Sequence, residues 1–578
     1  MTKTFDVAIV GGGPGGSTCA AFIKKYRPKM SVAIFERETF PRDHVGESQL
    51  PAIGKILHEL GAWEKIEAAN FPIKIGATYR WGNTKDLWDF HFVPNGEFRN
   101  EPRPGHYAGQ RMQTALQVDR SVYDQILLDH ARSLGVEVFE ATGIRAVSKE
   151  GDHITTLETD QGDLISAKQF VDASGHVGLL RRNMGVQTTE PTNLKNVAFW
   201  DYWTDAHWAV TIGTGGTRVQ VMSLGYGWIW FIPISPTRTS VGFICPAEHY
   251  KSTGLKPEEI YLQAIKDDRR ISGLLSGAER EEKFESTKDW SFVAERLTGE
   301  NWMLVGESAG FADPILAAGM TLTHASAREA AFTLMEIDRG GDAKWLKSEY
   351  ESRNHRRIMQ HIRFADYWYT ANAHFSDLKE FTRTLAKDAG LELSADKAFQ
   401  WLGTGGFVDD DLGGASFAAY SISSLHQIGS RLSAEAPTTA FGGYNGFVLN
   451  LDGAKKVDLA HYENGRVTGV PGYERNGKIL PLHGLRAWMV EGLKASPRFA
   501  DSMGYIEHSF QVRGAAFSQA VIDGLLESLE SLIRDGWVEC KTYKGDVLPD
   551  RVEGANVNFQ VNRDLELPQS QRSPHLEN

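Results

Sequence analysis

The sequence predicts an α/β fold in which a parallel sheet wound with helices is interrupted by antiparallel sheet and followed by a mainly helical C-terminal domain. Three observations predict it. A β-branched run near the N-terminus ends in clustered glycines, residues near 75–92 and 198–245 read as strands rich in aromatic and branched residues, and the late part of the chain has helical composition.

Phe5-Asp6-Val7-Ala8-Ile9-Val10 reads as a buried parallel strand, followed at once by Gly11-Gly12-Gly13-Pro14-Gly15-Gly16 and then by helical composition from Ser17 to Lys25. Gly11, Gly13 and Gly16 occupy the G-x-G-x-x-G positions of a Rossmann-like fold. The first permits a tight turn, the second admits a pyrophosphate, and the third lets helix pack on strand. A second strand, Ser31 to Phe35, ends at Glu36, where a carboxylate meets the ribose of an adenine dinucleotide.

At 578 residues the chain requires more than one core, and 41% hydrophobic with 24% charged residues is ordinary for a globular protein. A formal net charge of −12 argues against nucleic acid or an anionic membrane as partner. Cys19, Cys245 and Cys540 are scattered without metal or C-x-x-C spacing, so a reducing cytoplasm is expected. With a strand starting at Phe5, no signal peptide is expected. No apolar run approaches a membrane span.

Helical composition from Ala52 to Ala68 precedes aromatic strands near Ile75 to Phe92. A helix is expected from Val118 through Leu134, then a strand at Val136–Phe139, a hairpin over 144–165 and a strand over Phe170–Gly175 that ends in small residues. Strands follow from Ala198 to Cys245, then a strand at Trp302–Gly306 and a helix from Ala317 to Glu336. This order places a dinucleotide-binding domain over 1–375, with a substrate-binding sheet inserted at about 71–105 and 190–290. Residues 376–578 form the second domain, read as a winged-helix-like packing lid with a polar tail after Tyr543.

Several segments carry a resemblance. Gly11 to Ser17, Val171-Asp172-Ala173-Ser174-Gly175 and Gly306-Glu307-Ser308-Ala309-Gly310-Phe311-Ala312-Asp313-Pro314 resemble the FAD-contacting segments of p-hydroxybenzoate-hydroxylase-like flavoproteins. Gly227-Trp228-Ile229-Trp230-Phe231-Ile232-Pro233 resembles the W-x-W-x-I-P signature of flavin-dependent halogenases. Val45-Gly46-Glu47-Ser48 and the segment Phe71 to Gly82 resemble halogenases of phenolic, pyrrolic or carrier-tethered acyl substrates, and the C-terminal domain resembles the chloramphenicol-pathway branch. The resemblance implies FAD contacts at Gly11, Gly13, Gly16, Glu36, Arg37, Ser48, Arg120, Gly306, Glu307 and Asp313. Glu307 stands where the family usually has Asp.

The implied chemistry is FADH2-dependent oxidation of chloride or bromide by a flavin hydroperoxide, followed by halogenation of an electron-rich aromatic or carrier-tethered substrate. An FAD monooxygenase or oxidoreductase on the same scaffold is the alternative. Trp228 and Trp230 lie two apart in a strand, so both indoles project from one face and would screen organic substrate from the flavin. Lys74 is the expected deliverer of the halogen. An unperturbed lysine has a pKa of about 10.4, so only about one in 2,500 is neutral at pH 7. A halogenated amine therefore requires burial to lower that value by roughly three units, whereas a hydrogen-bonding ammonium does not, and the donor role is preferred.

By the same resemblance the Ala318 and Gly319 amides hold the halide ahead of a helix. Family members often carry Ser or Thr where this chain has Ala317 and Ala318, and the glutamate of indole halogenases is replaced by Leu316, which argues against a tryptophan substrate. No second G-x-G-x-x-G follows a strand and opens a helix: Gly403-Thr404-Gly405-Gly406 lacks the strand. Reducing equivalents are therefore expected from a separate flavin reductase. His355 and His361 are six residues apart on a helix, which does not suit two ligands of one metal, and no metal is expected.

Overall fold

The computed structural model describes residues 2–81, 86–93, 97–191, 195–288, 291–370, 439–549 and 559–563. The proposed boundary at 375/376, the Gly403–Gly406 segment and most of the polar tail lie outside them, as does the Leu316 side chain. The chain divides into two compact units. The first comprises Met1–Ser376, Tyr462–Val467 and Val557–Asn578, and the second Asp377–His461 and Thr468–Asn556.

In the first unit β1 (Thr2–Val10) runs into α1 (Pro14–Tyr26) and β2 (Val32–Phe35). The expected single helix from Ala52 is two, α2 (Pro51–Leu60) and α3 (Trp63–Ala68), because Gly61 turns left-handed at φ 85° between them. Next come β3 (Ile73–Arg80), β4 (Asp86–His91) and β5 (Ala115–Leu116). Helix α4 (Arg120–Ser133) starts on the Asp119 carboxylate, which accepts the Ser121 N–H. It leads to β6 (Glu137–Phe139), β7 (Ile144–Glu150), β8 (His153–Thr159), β9 (Leu164–Asp172), which stops before the small residues Ala173-Ser174-Gly175 expected to end it, and α5 (Leu179–Asn183).

After β10 (Thr188–Thr189) the antiparallel strands β11 (Asn196–Thr204), β12 (Gly216–Leu224), β13 (Gly227–Pro233) and β14 (Arg238–Pro246) follow. The helices α6 (Ala247–Thr253), α7 (Pro257–Asp267) and α8 (Arg269–Leu274) precede the short strands β15 (Glu279–Arg280), β16 (Glu285–Lys288), β17 (Phe292–Ala294), β18 (Trp302–Leu304) and β19 (Gly310–Phe311). Two long helices, α9 (Gly319–Asp338) and α10 (Ala343–Thr370), close the run.

The first sheet has the order β6-β2-β1-β9-β8-β7 with β18 beside β9, and β2, β1, β9 and β18 are parallel. The apolar strands that bury both faces make it the core of a Rossmann-like fold. The second sheet has the order β15-β11-β14-β13-β12-β3-β4 and then β25 (Phe559–Arg563), with β16 and β5 at its sides. Strand β25 lies in the stretch that the sequence reading gave to a polar tail of the second domain. It pairs instead with β4, Asn562 opposite Leu87.

One face of the second sheet buries Met222, Ile229, Phe231, Val241 and Phe243 against Ile260, Tyr261 and Ala264 of α7. That covering leaves the other face free to carry chemistry.

The second unit contains helices α11 (Gly484–Ala495), α12 (Phe499–Val512) and α13 (Gln519–Arg534), as its composition suggested. Strands not expected from the sequence accompany them: β20 (Gly446–Leu449) pairs with β24 (Val538–Lys541), and β21 (Lys455–Glu463), β22 (Arg466–Arg475) and β23 (Lys478–Pro481) form a small sheet, of which Tyr462–Val467 fall in the first unit. Met489, Val490, Ile506, Leu525, Leu529 and Trp537 are among its core residues.

Candidate active site

The glycine loop is shaped for close approach. A Cβ on Gly11 would lie 2.3 Å from the Ala173 carbonyl oxygen, and one on Gly16 would lie 1.9 Å from the Gly11 carbonyl oxygen. Gly11 also has φ 103°. Gly13 is different, because a Cβ there would meet only the Arg42 guanidinium, at 3.3 Å. The Arg42 guanidinium, ion-paired with Glu38 and Asp124 at 3.5 Å each, thus lies beside the loop, a residue that sequence reasoning did not select. The Glu36 carboxylate accepts the Gly12 N–H at 2.6 Å and the Glu38 N–H at 2.9 Å, which fixes it at the end of β2. Arg37, next along the chain, keeps its side chain 63% exposed and pairs with Glu38.

Arg120 joins two segments. Its guanidinium holds Asp124 at 2.7 and 2.9 Å and donates to the Val45 and Gly46 carbonyls. Its charge faces both Glu47 and Glu307. Burial raises the Glu307 carboxyl above the usual carboxylate range, with Arg120 opposing the rise. Burial likewise pushes Glu47 up to about 7. Glu47 accepts from the Gly46 N–H at 3.0 Å and the Tyr202 hydroxyl at 3.2 Å.

Ser48 bridges to Gln117. The Ser48 hydroxyl and both polar atoms of the Gln117 amide are buried without a partner among the described residues. Unpaired buried donors and acceptors on this scale are costly, and a bound polar cofactor satisfies them. With the open backbone at Gly13 they fit FAD. Gln117 carries no motif signal of its own, and only its position two residues before Asp119 marks it.

Lys74 is aimed by a defect in the sheet. Thr217 pairs with Lys74 and Arg218 with Gly76, so Ile75 is the extra residue of a bulge in β3. Beyond the bulge Thr78 pairs with Gln220 and Tyr79 with Val221. Val221 in turn pairs with Trp230, and Ser223 with Trp228. Directly paired residues share a face, and a bulge shifts the alternation by one. Lys74 therefore shares a face with Tyr79, Trp228 and Trp230, although strict alternation would put it opposite Tyr79. Gly76 makes this possible: a Cβ there would lie 1.9 Å from the Phe90 carbonyl oxygen.

Lys74 is 2% exposed, donates to the Gln49 carbonyl at 2.9 Å and lies 5.5 Å from the Phe92 ring centre. Burial lowers its ammonium to about 7. The preference for a donor role rested on an unperturbed value, and that premise does not hold here. Amine and ammonium coexist near neutrality.

The two indoles lie 6.0 Å apart between centres. Trp230 donates to the Ser240 hydroxyl at 3.1 Å, and Trp228 to the Tyr369 hydroxyl at 2.9 Å. Tyr369 passes the bond on to Asp313 at 3.1 Å, and Asp313 also accepts the Ile315 N–H at 2.9 Å. The Tyr79 hydroxyl donates to the Ile315 carbonyl at 3.2 Å. These bonds hold the tryptophan face against the 313–319 loop.

The loop departs from expectation in one respect. Helix α9 begins at Gly319, not Ala317, because Ala317 is left-handed at φ 54° after a 3-10 turn over Pro314–Leu316. The Ala318 and Gly319 amides stand at the start of a 20-residue helix, where N–H groups lack intrahelical acceptors. Among the described residues no cluster of three or more His, Cys, Asp or Glu could hold a metal. His355 and His361 each bond a backbone carbonyl.

A family model described as tryptophan halogenase matches residues 6–107 and 94–380. The chain belongs to the flavin-dependent halogenase family. This halogenase is 32% identical over 386 residues to the 1H-pyrrole-2-carbonyl-[peptidyl-carrier protein] chlorinase of Pseudomonas fluorescens, a match covering 64% of this chain and 85% of the relative. It is 31% identical over 348 residues to the tryptophan 2-halogenase of Chondromyces crocatus, covering 59% and 63%. The myxobacterial chondrochloren halogenase CndH superposes with a TM-score of 0.58 at 26% identity, over 72% of this chain and 97% of that one. The halogenase CmlS shares the fold over 96% of this chain and 99% of its own, with a TM-score of 0.69 at 24% identity. No helix among the described residues is long and apolar enough to cross a membrane.

Proposed function

We propose that this halogenase takes its halogen from chloride or bromide and places it on an electron-rich aromatic ring or a carrier-tethered acyl group, with Lys74 presenting the oxidised halogen. Bound reduced FAD, replenished by a separate flavin reductase, supplies the electrons that activate dioxygen toward the halide. Gly11, Gly13, Gly16, Glu36, Arg37, Ser48, Arg120, Gly306, Glu307 and Asp313 hold that cofactor, joined by Arg42 and Gln117. The Ala318 and Gly319 amides hold the halide. Trp228 and Trp230 keep the organic substrate away from the flavin while a small oxidised halogen passes.

The observation that carries this reading is the bulge at Ile75, which turns a buried lysine onto the tryptophan face. A lysine tuned to about 7 by burial can give an N–H to hypohalous acid or accept the halogen on nitrogen. The similarity to a chlorinase of a carrier-bound pyrrole supports an activated aromatic or tethered substrate. Leucine at 316 in place of a carboxylate points the same way.

The test is product analysis with reduced FAD, oxygen and chloride or bromide, against phenols and pyrrolyl thioesters. Halogenated product is expected from the native protein. Lys74→Ala is expected to bind FAD and consume oxygen without halogenating. Hydroxylated product independent of halide would overturn the reading.

A further inference from the structure

The residue beside Lys74 in the ladder carries a hydroxyl with nothing to bond. Thr217 is fully buried, and its Oγ lacks a partner among the described residues. It pairs directly with Lys74, so the two side chains leave adjacent strands about 4.8 Å apart on the same face. Thr217, Val219 and Val221 continue along that face toward Trp230. The Lys74 Nζ, at the end of its four-carbon stem, is bound to one acceptor, the Gln49 carbonyl, while an ammonium has three N–H groups to place. A buried hydroxyl and a buried amine with spare capacity thus belong to directly paired residues on one face of the sheet. The neighbouring Ala115, opposite Lys74 on β5, adds no polar group to it.

We infer that Thr217 is the second anchor of the oxidised halogen, its hydroxyl and the Lys74 nitrogen holding hypohalous acid between them. The inference rests on the proposed role of Lys74. Hypohalous acid has one O–H to donate and lone pairs to accept, which matches a hydroxyl on one side and an amine or ammonium on the other. Fixing both ends aims the halogen toward substrate and retains the acid long enough to react.

Thr217→Val removes the hydroxyl at nearly constant shape, Thr217→Ala removes it with added space, and Thr217→Ser keeps it. The readouts are FAD binding, oxygen consumption and halogenated product per oxygen consumed. Val and Ala are both expected to bind FAD and consume oxygen as the native protein does, while product per oxygen falls roughly tenfold, the scale of one lost hydrogen bond to a charged or reacting group. The fall should appear in kcat and leave the substrate KM unchanged, and Ser should recover most of the yield. Native coupling in both Val and Ala, with product abolished in Lys74→Ala, would overturn the Thr217 assignment and leave the Lys74 reading standing. Product retained in Lys74→Ala would remove both.

Discussion

The Trp228 indole N–H donates to the Tyr369 hydroxyl at 2.9 Å, and that hydroxyl is bound in turn to Asp313. One phenol oxygen thereby sets the spacing between the tryptophan strand β13 and the loop that begins α9. Tyr369→Phe keeps the ring and removes both bonds. We predict a loss of about 1–3 kcal/mol in urea unfolding, because a buried indole N–H loses its acceptor. Oxygen consumed without halogenated product should rise. A variant with native stability and native coupling would show that the contact carries no weight.

The bulge in β3 depends on Gly76. Gly76→Ala forces a methyl to within 1.9 Å of the Phe90 carbonyl oxygen. The backbone must shift, and we predict a destabilisation of about 2 kcal/mol or more, with halogenation lost even where the protein still folds. Thermal unfolding and product yield check this, and a fully active Gly76→Ala would refute the account of how Lys74 is aimed.

Glu47 and Lys74 should leave a trough in stability near neutral pH. Burial raises the folded Glu47 to about 7, so between its unfolded value near 4.5 and about 7 the native state holds the extra proton and stability falls as pH rises. Burial lowers the folded Lys74 to about 7, so between about 7 and its unfolded value the unfolded state holds the extra proton and stability rises with pH. Replacing Lys74 by Met should therefore stabilise most below pH 7, by roughly 5 kcal/mol, with the gain shrinking toward pH 10. The double variant Glu47→Gln/Lys74→Met should lack the trough in denaturant titrations across pH 4–10. A trough unchanged in depth would contradict both shifts.

Ala317 pays for a left-handed turn without being glycine. Ala317→Gly relieves that strain and adds unfolded-chain entropy, so the net effect should be stabilising by no more than about 1 kcal/mol. Calorimetry would settle the sign, and clear destabilisation would mean that the Ala317 methyl packs more than the backbone suffers.

The dinucleotide loop was legible because its spacing is local: Gly11, Gly13 and Gly16 fall within one strand, turn and helix, although of the three only Gly16 meets its close contact, the Gly11 carbonyl, inside that unit. The Trp228–Trp230 pair was legible for the same reason, since two residues apart in a strand means one face. Lys74 was singled out by resemblance, yet its direction could not be read. Counting back from Tyr79 by twos puts it on the other face, and one unpaired residue at Ile75 reverses that count without any mark in the composition. Ser48, Gln117 and Thr217 look like ordinary polar residues in a string of letters. Their unmet hydrogen bonds exist only after distant segments meet. The start of α9 was placed two residues early because alanine favours helix, and the turn at Ala317 overrides that preference.

Strand β25 brings residues from near position 560 onto the edge of β4, with Asn562 bonded to Asp89 across 473 positions of sequence. The sheet that bears Lys74 therefore cannot be completed during synthesis of its own central strands. Until residue 563 has been made, β4 offers an unpaired edge to any other extended chain. The nascent protein passes through a long interval in which a chaperone or a matching peptide could occupy the place of its own last strand, and a synthetic 559–563 peptide added to a shortened chain would compete for the same row of amides.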